Sequence, residues 1–579
     1  MSYAKKSRTG PRMRVLGLIL LFCCLGALIP IAAFGQAPAA PPAATPPAAA
    51  PAAAAPATPP YQPDATGSNT GDHTTLIPSG SGIAQSAIDG YTKTPTTPAT
   101  YKDIITVLDQ IGQGAVSMNI VWTLITGYLV MWMQAGFAMV ETGFCRSKSA
   151  GHIMMTNMMI YGVGMLGFWI AGFAIMFGSV GALGTLGNGN ILNGTEIKLG
   201  DFGIAGTKGF FLGKDVYDVG VFTMFLFQMV FMDTTATIPT GAMAERWRFG
   251  AFICYGFFVS IIIYPVYGHM IWGMGGLAML GANHGLGHGT VDFAGSSVVH
   301  AVGGFAALAG AIVVGPRDGK FNKDGTPNVI PAHSIPMATV GCFILAFGWF
   351  GFNPGSTLAA YGGNMRIGIV ATNTMLASAS GSLFNCLFTK VKGGKYDAGQ
   401  MINGLLAGLV AITAPCAFVT SLGAVLIGII AGAIQMLAGW WVEFKLKVDD
   451  PVGAFGVHGA AGIWGLISVG IFADGSFGQG WQTVTKGYDS TVGVCGVLAP
   501  WFNSLPKTVS DTGQLTAQCI GAVTCMVWSF GSAFLFFKIQ DAILKAFGSG
   551  VRSKDEDVVS GLDMPELGML GYGESGHVF

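Results

Sequence analysis

Two stretches of this chain carry the same acid and the same imidazole in the same order: DFAGSSVVHAVGG from Asp292 and DPVGAFGVHGAAG from Asp450. Their common skeleton is D-x2-G-x3-V-H-x3-G. Asp292, Gly295, Val299, His300 and Gly304 hold it in one copy, and Asp450, Gly453, Val457, His458 and Gly462 in the other. An imidazole accepts a proton on one ring nitrogen and donates one from the other, so two in reach of each other make a proton relay. A carboxylate eight residues earlier suits a helix start, where it accepts backbone N–H groups and meets the positive end of the helix dipole. No Cys, Ser or carboxylate stands with the histidines as a nucleophile or metal set, which argues against an enzyme. A single intramembrane histidine is commonly a packing residue; the repetition is what argues for function.

The elements that must position these residues are membrane helices. The 579 residues are 51% hydrophobic and 10% charged, against roughly 25% charged in a soluble domain. Glycine accounts for 88 of them, about twice its usual ~7%, and small residues let helices approach closely in lipid. Formal net charge is zero, so nothing points to nucleic acid. Eleven apolar segments are candidates to cross a ~30 Å hydrocarbon core. They cover 117–140, 153–180, 219–243, 250–272, 296–315, 335–352, 367–389, 400–415, 421–443, 454–473 and 516–546. The expected fold is an all-α polytopic membrane protein with eleven transmembrane helices. The connecting loops of one side hold 12 Lys and Arg, those of the other 6 in longer sequence. The basic side is expected to be cytoplasmic, with the N-terminus outside and the C-terminus inside.

The two motif copies fall on the fifth and tenth segments. Five is odd, so the halves form a five-plus-five inverted repeat, an arrangement that puts a transport site near the bilayer midplane. Each His lies eight residues beyond its Asp, about 12 Å along a helix, and the two approach the middle from opposite sides.

The ends are of other kinds. Residues 1–35 read as a signal peptide, with Lys5, Lys6, Arg8, Arg12 and Arg14 ahead of an apolar run and a small-residue site at AAFGQA. An uncleaved anchor is the alternative. Residues 36–116 form an Ala/Pro-rich and then Ser/Thr-rich exported linker, and 547–579 a cytoplasmic tail. The ten cysteines include no C-x-x-C pair and read as small hydrophobes; a disulfide between Cys416 and Cys495 is the competing reading.

Residues 117–570 resemble the ammonium transporter (Amt) family, the Amt branch of the Amt/Rh superfamily. The resemblance rests on DFAGSSVVH, DDPVGAFGVHG, MQAGFAMVETGFCRSKS, FQMVF at 227–231, GAMAER at 241–246, GHMIWG at 268–273 and GWFGFNPGS at 348–356. It implies that His300 and His458 are twin pore histidines, that Phe231 and Phe352 form a stacked gate, and that Trp349 lines the pore. It also implies an external ammonium site framed by Trp272, Ser356 and Phe231 and supported by Asp292, with Asp450 a structural cap. Further implications are a homotrimer in the inner membrane, ammonium or methylammonium as substrate, no cofactor, and a PII-type signal protein as candidate partner of the tail. The tail carries the family core Gly561-Leu562-Asp563, but Leu567 stands where a His is expected. The second reading is an ammonium-binding sensor with little transport.

Several residues fit a plain channel lining less well. Glu141 stands at the end of the first apolar segment and Asp233 inside the third, where charge is costly. Asp233 is expected to pack protonated or hydrogen-bonded to Thr234, Thr235 or Thr237, with a proton-path role as the alternative. His284 and His288 have a metal-like spacing of four but no third ligand, so no metal site is expected.

Overall fold

The structure is a computed structural model that describes residues 98–361, 366–482, 492–503 and 510–573. The expected signal peptide and the linker up to residue 97 lie outside these. Among the described residues, ten helices are long and apolar enough to cross a membrane. They are α1 (Pro98–Phe144), α2 (Ser147–Phe177), α3 (Val219–Ala242), α4 (Phe249–Ile271), α5 (Ser296–Val314), α6 (Ile335–Thr357), α7 (Ile367–Gly393), α9 (Ser421–Lys445), α10 (Phe455–Phe472) and α11 (Thr512–Ala546). Between them α8 (Ala398–Ile412) is apolar but has 15 residues, about 22 Å of helix, too short for a ~30 Å core by itself. Beyond α8 the chain runs as buried turns to Val419. Asn373 Nδ2 there donates to the Cys416 and Val419 carbonyls at 3.0 and 2.8 Å. Non-helical backbone at depth is tolerated where protein groups satisfy it in this way.

The first helix begins at Pro98, well inside the stretch assigned to the linker. Its 47 residues span roughly 70 Å. Cys416 is a free, buried thiol beside the Thr413 carbonyl at 3.5 Å, so it forms no disulfide with Cys495.

Between α2 and α3 a two-stranded antiparallel hairpin forms, β1 (Ile197–Leu199) with β2 (Phe202–Ala205). It packs against α4 near Trp272: Gly276 N–H donates to the Gly203 carbonyl at 2.9 Å, and the Glu196 carboxylate meets buried His269 Nε2 at 3.1 Å. His269 Nδ1 in turn lies 2.8 Å from the Met176 carbonyl. The hairpin therefore braces the end of α4.

At the other end of the helices, the Arg317 side chain is buried between Glu245 (2.8 Å) and Asp449 (2.9 Å), with Arg146 also on Glu245. Burial opposes ionisation of Asp449, but Arg246 and Arg317 outweigh it and hold its carboxyl well below the ordinary range. The tail docks beside this cluster. The Asp563 carboxylate accepts from the N–H groups of Gly151 (3.1 Å) and His152 (2.8 Å) on α2 and of Gly571 (2.9 Å). Leu567 is half-buried there.

Candidate functional site

His300 and His458 meet. Their Nδ1 atoms lie 3.2 Å apart and the rings stack at 5.3 Å and 26°. Each sits on a turn of π-helix, Ser296–Ala301 in α5 and Phe455–Ala460 in α10. Such single-turn bulges re-aim side chains and recur at functional sites. Each turn follows a glycine with positive φ, Gly295 at 117° and Gly453 at 75°, a conformation that glycine adopts at little cost. The closing glycines of the motif explain how the helices come so close. A Cβ on Gly304 would lie 2.1 Å from Gly459 N, and one on Gly462 would lie 2.4 Å from Ser296 O. Each copy leans on the other through its own last glycine, the reciprocity that a two-fold relation requires.

Above and below the imidazoles runs a file of rings. Trp272 stands edge-on to Phe231 at 6.0 Å, and Phe231 lies 4.2 Å from Phe352. Phe352 stacks on His300 at 5.2 Å, and Phe137 follows His458 at 5.9 Å. Trp349 flanks the file, stacked on His300 at 5.1 Å and 19°, its Nε1 donating to Thr413 Oγ1 at 2.9 Å. Phe231, Phe352, Trp349 and His300 are fully buried, whereas Trp272 and Ser356 keep partial exposure. The Ser356 hydroxyl donates to the Phe352 carbonyl at 2.7 Å. Its single proton is thereby committed, and its lone pairs are left to accept from a ligand.

The two acids differ. Asp292 is buried, and its carboxyl accepts from the N–H groups of Gly295 (2.8 Å), Ser296 (3.0 Å), Ser297 (2.8 Å) and Val298 (3.0 Å) and from Ser297 Oγ (2.7 Å). Its backbone carbonyl accepts from Trp272 Nε1 at 2.7 Å, tying the helix cap to the indole. Asp450 accepts from two N–H groups, Ala454 (2.9 Å) and Phe455 (2.8 Å).

Only the hydrogen-bonded alternative for Asp233 is corrected. Thr234, Thr235 and Thr237 hydroxyls bond the carbonyls four residues back rather than the carboxyl, and Asp233 Oδ1 is buried without a partner. Glu141 is buried and bonded to Asn157 and Thr240. His284 Nε2 lies 3.6 Å from exposed Asp201, while His288 Nδ1 meets the Trp481 carbonyl at 3.3 Å. Among the described residues no three or more His, Cys, Asp or Glu groups converge as a metal site. Thr413, Phe137 and Ser297 belong to the site without having been singled out, because their places follow from packing between distant segments.

The family model described as "Ammonium Transporter Family" matches residues 121–572. The chain is 43% identical to "Ammonium transporter Amt2" of Archaeoglobus fulgidus over 79% of this chain and 88% of that one. It is 34% identical to "Ammonium transporter Amt1" of Haloferax mediterranei over 80% and 81%. Among solved structures, "Sensor Amt Protein" aligns with TM-score 0.64 at 35% identity, over 78% of this chain and 99% of that one. Candida albicans Mep2 aligns with TM-score 0.58 at 26% identity, over 74% and 85%. The chain is a multi-pass membrane protein that belongs to the ammonium transporter family.

Proposed function

We propose that this protein carries ammonium across the cytoplasmic membrane, capturing NH4+ at Trp272, Phe231 and Ser356 and passing ammonia along the twin histidines. The observation that carries the reading is the unbroken file Trp272–Phe231–Phe352–His300–His458, with polar edges inside it supplied by the two imidazoles. A cation is attracted to an aromatic face by ~0.5–2 kcal/mol, and ammonium can also donate to the Ser356 lone pairs. Asp292, close behind, adds negative potential. Beyond Phe231 and Phe352 a bare ion loses its hydration among buried rings, which is costly. Uncharged ammonia does not pay that cost, so its proton leaves at the entrance. The reciprocal glycine contacts of α5 and α10 support a five-plus-five inverted repeat, and with it a site near the midplane, while the excess of Lys and Arg in the loops of one side supports an N-terminus outside. Methylammonium is expected as a second substrate, a homotrimer as the assembly, and a PII-type signal protein as a candidate partner of the docked tail.

The test is transport by His300→Ala and His458→Ala variants in proteoliposomes, with initial uptake as the readout of rate and selectivity and ammonium-evoked current on solid-supported membranes as the readout of charge movement. Each variant is expected to insert and fold but to change rate, selectivity or charge movement. Unaltered behaviour in both would refute the histidine mechanism.

A second reading, an ammonium-binding sensor with little transport, is favoured by the 35% identity to a structure titled "Sensor Amt Protein". Tight ammonium binding without flux in the same proteoliposomes would select it.

A further inference from the structure

A cavity bordered by His458, but not by His300, opens at the end of the ring file opposite Trp272. Phe137, Val452, Ala454, Asn403 and Glu141 help to line it. Glu141 is 2% exposed. Its Oε2 accepts from Asn157 Nδ2 at 2.7 Å, and Thr240 Oγ1 stands 2.8 and 2.7 Å from its two carboxyl oxygens. The same Thr240 oxygen lies 2.6 Å from the Thr237 carbonyl, which can act only as an acceptor. A hydroxyl has one proton to give. With that proton on the Thr237 carbonyl, the short contact to Glu141 needs a proton from the carboxyl itself. The arrangement therefore fits a neutral Glu141 acid in a wall of the cavity that His458 borders. Asn403 Nδ2 donates to the Val452 carbonyl at 3.2 Å, which turns its Oδ1 into an available acceptor. Among the described residues, Asp450 and the Cys145 thiol are the titratable groups that act electrostatically on this carboxyl, and His458 borders the same cavity.

We propose that Glu141 is the proton donor to ammonia leaving the histidine pair, a role that rests on the transport reading above. The Glu141 O–H bond breaks as a fourth N–H bond forms on ammonia. The products are an ammonium ion and the Glu141 carboxylate, paired in the cavity with Asn403 Oδ1 as a further acceptor. Ammonium leaves to the aqueous side, and the carboxylate regains its proton from a buffer acid in that solution. The cavity is thus a second ammonium site, at the opposite end of the file from Trp272.

The experiment compares Glu141→Gln and Glu141→Ala with wild type in proteoliposomes, with folding checked by size-exclusion chromatography. Glu141→Gln keeps the shape and the Asn157 contact but has no acid proton. Its initial ammonium uptake is expected to fall about 10²-fold, the lower range for loss of a general acid, with the half-saturating ammonium concentration unchanged. Glu141→Ala is expected to fall similarly and to recover uptake when formate, a small carboxylic acid, is present on both sides at matched ionic strength. A Glu141→Gln variant that conducts like wild type overturns the proposal. So does a folded Glu141→Ala that formate leaves silent, since that outcome assigns Glu141 to packing. A wild type that takes up no ammonium would instead refute the transport reading itself, and the proposal with it.

Discussion

Replacing Asp292 by Asn tests whether the first acid of the repeat is more than a helix cap. The carboxyl serves four backbone N–H groups and one hydroxyl. An Asn side chain keeps one accepting oxygen, enough for Gly295 and Ser296, and turns an NH2 towards Ser297 and Val298. The Ser297 hydroxyl can rotate towards Tyr267 Oη, 3.2 Å away, so two backbone N–H groups remain orphaned. At about 1–3 kcal/mol for each unsatisfied buried group, the loss is about 2–6 kcal/mol. Asp450→Asn orphans one N–H group and loses about 1–3 kcal/mol by the same reasoning. The assay is thermal unfolding in detergent followed by tryptophan fluorescence, paired with initial ammonium uptake per folded protein. Asp292→Asn should lower the midpoint about twice as far as Asp450→Asn and cut uptake more. The Trp272 indole hangs on the Asp292 carbonyl, so its emission should also shift in the first variant and not in the second. Equal destabilisation with equal uptake would refute the assignment of unequal roles.

Trp272→Leu should weaken discrimination between ammonium and methylammonium, and Trp272→Leu/Ser356→Ala should depart from additivity if both groups contact one ion; strictly additive uptake rates would separate them. Gly304→Ala puts a methyl 2.1 Å from Gly459 N, so it should part the histidines and abolish transport, which a wild-type flux would contradict. Arg317→Met leaves Asp449 and part of the Glu245 charge buried without their partner and should destabilise by about 3–5 kcal/mol. The carboxyl of Asp449 is depressed in the folded state, so its contribution is present above the ordinary carboxylate range and is lost only as pH falls through the lowered value. In Arg317→Met the acid-unfolding midpoint should accordingly rise towards pH ~4; an unchanged midpoint would mean the ion pairs contribute nothing.

The apolar segments and the duplicated motif were legible because both are local patterns. Hydropathy marks a span, and an Asp eight residues ahead of a His marks a cap and a depth. The meeting of His300 with His458 across 158 positions was readable only through the repeat. The π turns that aim the imidazoles were not, since one extra residue per turn leaves no trace in apolar periodicity. Helix α1 starts ahead of the apolar segment 117–140, and residues 98–116 are polar enough to resemble linker although they are helical. Asp233 was given threonine partners by proximity in sequence, but on a helix those hydroxyls reach their own backbone first. Glu141 meets Thr240 from 99 residues away, and no local pattern announces such a pairing.

Two nitrogens of the same kind facing each other at 3.2 Å share room for a single proton, and this gives the pair a parity. With both rings neutral, one Nδ1 carries hydrogen and the other is bare, so the outer nitrogens are opposite in kind: one end accepts while the other donates. A proton taken up at the accepting end and handed through the middle leaves at the donating end. Afterwards both rings are inverted, and the pair is set for traffic in the reverse direction. A second proton going the same way must wait until both imidazoles have exchanged their hydrogens back. The contact thus behaves as a turnstile with a reset rather than a wire, and the reset sets a ceiling on one-way proton flow that is independent of how fast ammonia itself moves.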